Sequence, residues 1–153
     1  MNDLLLIAIA IGLQGFCLIF DEFVFHWRRD LPRWERLGHP IDSLAFLAAL
    51  AIPALWEAQS DLVKIVYGIV AMVSCLCVTK DEGVHLKLAT AREQHLHGLM
   101  FLLHSAILVL IWNAWKNGNF QLPAAMLFPI AAFSVYQIVY WNLVRPPYVE
   151  HSR

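Results

Sequence analysis

Two short polar runs, Lys80-Asp81-Glu82-Gly83-Val84-His85 and Glu93-Gln94-His95-Leu96-His97, lie between two long apolar segments, and His104 follows within the second segment. Together they hold three carboxylates and four of the chain's seven histidines. The chain as a whole is 59% hydrophobic and 15% charged over its 153 residues. Ionisable groups in an apolar setting lose hydration and must be paired, neutralised or bound to a metal. This island therefore governs how the rest of the chain is read.

An apolar fraction of 59% exceeds the roughly 45–50% of soluble proteins. With long apolar runs, it points to one all-α transmembrane domain over 1–153. The net charge of -1 offers no footprint for nucleic acid. Met1-Asn2-Asp3 supplies no basic leader, and the apolar run that follows is too long for a signal peptide, so the first segment reads as a retained span. Cys17, Cys75 and Cys77 fall inside apolar segments and read as small core residues.

Five spans are expected, at about 3–27, 42–56, 62–79, 93–116 and 122–144, the third continuing through His85. A short interfacial helix is expected over 33–37, and Pro53 near the end of the second span. Nine of the eleven basic residues fall in the 1–2 and 3–4 connections and the tail, leaving Lys64 and Lys116 on the other side. The bias of Lys and Arg toward the cytoplasm then predicts N-terminus out and C-terminus in.

That topology gathers most of the ionisable groups at one face. Glu22 and His26, four apart, share a helix face. His39 and Asp42 come at the start of the second span. Glu82 and His85 have the Glu-x-x-His spacing of carboxylate-bridged di-metal bundles. Glu93, His97 and His104 fall within about 40° on one helical stripe at 100° per residue, whereas His95 points about 200° away. These nine residues, Glu22, His26, His39, Asp42, Glu82, His85, Glu93, His97 and His104, form the expected metal ligand set. Asp21, Asp81 and His95 are left as supporting or surface groups, and Tyr136 and Tyr140 as hydrogen-bond donors to carboxylates or as members of an aromatic belt.

Mixed carboxylates and imidazoles suit two divalent ions, iron first, with zinc or manganese as alternatives. The Glu82-x-x-His85 element and the carboxylate/histidine mixture resemble the ferritin-like di-iron carboxylate proteins, as a small bacterial inner-membrane version of that site. The resemblance implies dioxygen chemistry on an apolar or lipid substrate. It covers the site alone, since Glu22/His26 and Glu93/His97 use four-residue spacing and His39-x-x-Asp42 reverses the order. Two other readings stay open: a zinc-dependent lipid hydrolase with three protein ligands and a water, and a protein that binds or transports metal ions. The histidine boxes of membrane desaturases are absent.

Overall fold

The computed structural model describes residues 3–145 other than Asp81, and every regular element among them is helical. Helix α1 (Asp3–Phe20) runs on without a break through a π-helical segment, Asp21–His26, and a last α-turn, Trp27–Arg29. Asp30 then turns the chain with φ 59°, a backbone conformation that strains a residue with a Cβ. Helices α2 (Arg33–Leu55), α3 (Asp61–Cys77), α4 (Glu82–Leu88), α5 (Ala91–Lys116) and α6 (Gln121–Val139) follow, and α6 continues as a second π-helical segment, Tyr140–Val144.

Four stretches are long and apolar enough to cross a membrane: Leu4–His26, Arg33–Leu55, Ala91–Lys116 and Gln121–Val144. Their outward faces carry exposed apolar side chains such as Phe16, Ile19, Leu102 and Phe128, as lipid-facing surface requires. α3, the remaining long helix, has 17 residues.

α1 packs on α5, and α2 packs on both α3 and α6. The buried apolar core sits at one end of the bundle. It joins Ile7 at the start of α1, Leu50 and Ile52 late in α2, Tyr67 early in α3, Ile111 and Trp115 late in α5, and Met126 early in α6. Tyr67 Oη donates to the Leu108 carbonyl at 2.7 Å, and Trp115 Nε1 donates to the Trp56 carbonyl at 2.7 Å, so the polar ends of these rings are satisfied. The opposite ends of the same helices carry the charged cluster.

Two expected boundaries differ. The expected segments 33–37 and 42–56 merge into one continuous helix, Arg33–Leu55, with Pro40 in its interior and Pro53 in its last turn. Pro40 has no N–H to give to the Arg36 carbonyl, and Asn142 Nδ2 approaches that carbonyl at 3.5 Å instead. The third span does not continue through His85: α3 stops at Cys77, and α4 is a separate short helix. α5 starts at Ala91 behind a capping box, Thr90 with Glu93, which the sequence carries as a Thr-x-x-Glu pattern.

Arg36, expected to set topology from the polar connection between the first two spans, is buried and ties α2 to the end of α6. Its Nε donates to the Leu31 carbonyl at 2.7 Å, and its Nη1 to the carbonyls of Trp141 at 2.6 Å and Arg145 at 3.2 Å. Arg145 Nε in turn donates to Asp30 Oδ1 at 2.7 Å, and that hydrogen bond and charge raise the Arg145 pKa. Arg36→Met should destabilise the bundle by about 2–4 kcal/mol, because helix-end carbonyls lose a charged donor. A fall in the thermal unfolding midpoint in detergent measures it, and an unchanged midpoint would refute this role.

Candidate metal centre

The π-helical segment sets the first two groups that could ligate a metal. The Trp27 N–H reaches back five residues to the Glu22 carbonyl, the hydrogen bond of a π-helix. The wider turn brings Asp21 and His26, also five apart, onto one face. His26 Nε2 lies 3.1 Å from Asp21 Oδ2, and its Nδ1 lies 3.4 Å from Glu22 Oε2. In an α-helix a five-residue separation would turn the pair about 140° apart.

α5 brings the other side of the cluster. Its capping box holds the first turn: Glu93 N donates to Thr90 Oγ1, and Thr90 N to Glu93 Oε2, both at 3.3 Å. One turn later, His97 Nε2 lies 3.0 Å from Asp21 Oδ2. Asp21, His26, Glu93 and His97 are all buried, and one ligand atom from each lies within 4.8 Å of all the others. Bonds of about 2.0–2.2 Å place the donors of one ion about 3.4 Å apart in a tetrahedron and about 4.2 Å apart when opposed, so the set would have to draw inward to close on one ion.

A second set adjoins it. His26, Glu35 and His39 likewise have ligand atoms within 4.8 Å of one another. The rings of His26 and His39 stack at 4.8 Å, and the His39 Nε2 atom is buried without a hydrogen-bond partner. His26 is common to both sets, so they lie side by side.

His85 joins the two. Its Nδ1 faces His97 Nδ1 at 2.8 Å, and its Nε2 faces Glu35 Oε1 at 3.5 Å. Of two facing ring nitrogens, one must carry the proton and the other accept it. If His97 Nδ1 donates, His85 holds its proton at Nε2, toward Glu35, and His97 Nε2 is left as a free lone pair beside Asp21. That is how a buried partner fixes the ligating tautomer of an imidazole. Glu22 is oriented from α6, where Trp141 Nε1 donates to its Oε1 at 2.6 Å and Tyr136 Oη at 3.1 Å. Tyr136 also accepts from Trp27 Nε1 at 3.1 Å.

Charge decides what this arrangement can hold. Asp21, Glu22, Glu35 and Glu93 are 3%, 1%, 0% and 1% exposed. Carboxylates at that depth need hydrogen-bond donors, protons or cations beside them. Asp21 faces His26 and His97. Divalent cations in the adjoining sets would serve as such partners.

Of the nine expected ligands, His26, His39, Glu93 and His97 lie in the two sets, and Glu22 and His85 touch them directly. The other three lie elsewhere. Asp42 pairs with Lys80, Nζ to Oδ2 at 2.6 Å. Glu82 is half-buried at the rim of a cavity. His104 lies deeper, with Nε2 3.0 Å from Ser74 Oγ and its ring against Phe46. His95 is exposed, with Nδ1 2.6 Å from the Ala91 carbonyl. Tyr140 stacks on Trp27 and Tyr136, and Asp81 lies outside the described residues. Asp21, set aside in the sequence, is at the centre of the first set. Glu35 and the donor Trp141 were not singled out at all.

The cluster opens onto a cavity of about 360 Å³. Its polar rim includes Asp21, His39, His85 and His97, and its deeper wall is apolar, with Ile11 and Leu18 from α1 and Ile130 and Phe133 from α6. Family models, curated proteins and solved structures contain no match to this chain. The reading of the site rests on its own geometry.

The geometry separates ligands from bystanders. His85→Ala should weaken divalent-cation binding about 10–100-fold by releasing the His97 ring. Glu82→Gln and His104→Asn should leave binding unchanged. Competition with a chromophoric chelator in detergent measures all three, and a loss in His104→Asn equal to that in His85→Ala would contradict the assignment.

Proposed function

We propose that this chain is a membrane-embedded di-metal protein, with a carboxylate/histidine pair of ions, iron by preference, performing redox chemistry with dioxygen on an apolar or lipid substrate. The observation that carries the reading is the match between four buried carboxylates and two adjoining donor sets sharing His26, next to an apolar cavity. Asp21, His26, Glu93 and His97 would hold one ion, and Glu35 and His39, with His26 or Glu22, the other. Oxygen and imidazole donors in this mixture suit iron and manganese. The ions, when bound, would supply an electron store and an open position for a small oxidant.

The protein's own groups do the rest. Tyr136 and Trp141 orient Glu22, His85 fixes the His97 tautomer, and the apolar cavity wall keeps water away from the site. The reading includes five crossings. α2 ends at the apolar end of the bundle and α5 begins at the charged end, so α3 is the segment available to return the chain across the membrane. Its 17 residues reach about 25 Å, within a few ångströms of the hydrocarbon thickness of about 30 Å. With nine of eleven basic residues beside the cluster, the site would lie at the cytoplasmic face, with the N-terminus outside, in a bacterial inner membrane.

A second reading has support of its own. Asp21, His26, Glu93 and His97 alone give four donors of the kind zinc takes, which would suit a lipid hydrolase if one donor gave way to water. Metal analysis of protein purified from iron- and zinc-supplied cells separates the two. Two irons per chain, with near-ultraviolet absorption that appears on oxidation, is the expected result. One zinc and no such absorption favours the hydrolase, and absence of any bound metal overturns both. Binding should also weaken as pH is lowered, because protons compete with the ion for imidazole nitrogens and carboxylate oxygens.

A further inference from the structure

The cavity beside the cluster has a shape and a polarity that neither donor set explains. Along α1 its lining runs from Asp21 back to Ile11, which at 1.5 Å per residue is about 15 Å. That is half the hydrocarbon thickness of about 30 Å, the depth of a single leaflet. α1 packs on α5 and α6 packs on α2, while α1 and α6 line the cavity from two sides. Leu18 and Ile19 line it and are also exposed on the bundle surface, so it communicates with the lipid-facing side.

Two features of the wall point to an occupant. Gln14 is 8% exposed, lines the cavity, and its Oε1 is buried without a hydrogen-bond partner. A polar atom left unmatched at this depth is costly and calls for a partner. His104 is at the same level. Asp21 meets His97 in the antiparallel α1–α5 pair, and Gln14 and His104 each lie seven residues, about 10 Å, further in. The second feature is Gly15. A helix interior disfavours glycine relative to alanine. No neighbouring atom lies within 4 Å of where its Cβ would stand, so packing does not demand glycine there. What Gly15 preserves is open volume in the cavity.

We infer that the cavity takes one acyl chain of a single-chain membrane lipid, which enters from the leaflet on the charged side between α1 and α6. Its polar end lies at the carboxylate/histidine cluster, and a polar function on the chain, such as a hydroxyl, reaches Gln14. The inference deepens the proposed function by naming its substrate class, and it relies on that reading only for what happens at the polar end. The chain itself is held by burial of methylenes, and no metal is required to seat it.

The test uses the full chain in lipid nanodiscs with a photoactivatable diazirine fatty acid as probe, and mass spectrometry to map the labelled residues. Label is expected on the cavity wall, at Phe101, Ile107 or Ile130. Gly15→Phe should reduce that label about tenfold, equivalent to displacing about two buried methylenes. Gly12→Phe is the matched control. Gly12 is exposed, does not line the cavity, and likewise has open space at its Cβ, so it reports whether α1 tolerates the larger side chain and should keep the label. A fatty acid hydroxylated along its chain should outcompete the unsubstituted one in the native protein and lose that advantage in Gln14→Leu. Label confined to outward-facing residues such as Ile9, and indifferent to Gly15→Phe, would mean annular lipid only and overturn the inference. Metal content is read on the same samples. Bound metal without cavity label defeats this inference alone, and cavity label without bound metal defeats the metal centre alone.

Discussion

The bundle depends on making four carboxylates tolerable inside an apolar protein. Asp21, Glu22, Glu35 and Glu93 come from three different helices and are almost wholly removed from solvent. Charges so placed can be held by donors, by protons or by cations, and each has a visible counterpart. Trp141 and Tyr136 give hydrogen bonds to Glu22, Thr90 gives its backbone N–H to Glu93, and histidines face Asp21 and Glu35. No single one of these suffices for all four, which is why the site recruits groups from both the N-terminal and C-terminal halves of the chain. The loss of any one helix would leave buried charge behind, a penalty larger than that of lost apolar contact.

The two ends of the bundle carry different duties. At one end, Ile7, Leu50, Ile111 and Trp115 pack without ionisable groups, and directional bonds from Tyr67 and Trp115 fix their neighbours. At the other end, polar contacts replace packing. The connection is the helix itself: α1 runs from the apolar end to the charged end and α5 runs back, so the apolar core fixes the register in which Asp21 meets His97. A close-packed interior resists sliding, and a site that needs placement to a fraction of an ångström benefits from that resistance. Arg36 supplies the same service for α2 and α6 by holding the carbonyls at the end of the chain's last helix.

Much of this was legible in the sequence, in particular the apolar spans and the convergence of His26, His39, Glu93 and His97 at one end. The failures have specific causes. Spacing was converted to angle at 100° per residue, which holds for an α-helix and fails in the π-helical turn at Asp21–His26. Asp21 was left as a supporting or surface group, and that wider turn brings it into the first donor set with His26. Glu35 sat among arginines in a stretch read as a short interfacial helix separate from the second span, because Pro40 suggested a helix start, whereas α2 runs through that proline with its freed carbonyl near Asn142. The structure sets His104 apart in the opposite sense. It has the right azimuth but lies two turns too deep, where Ser74 satisfies it, and angle alone carries no information about depth. Thr90 was a readable signal, since a capping box announces both the start of α5 and the fixed position of Glu93.

Glu93 serves two structures at once. One of its oxygens closes the first turn of α5 against the Thr90 N–H, and the same carboxylate belongs to the first donor set. A carboxylate has two oxygens, so both duties can be met together, but they are no longer independent. Any cation that draws electron density from Glu93 weakens its hold on Thr90, and any fraying of that turn loosens the ligand. The local stability of a helix terminus and the affinity of an ion are thereby two readings of one quantity. Amide exchange at the start of α5 would follow occupancy of the centre even though the backbone there binds nothing.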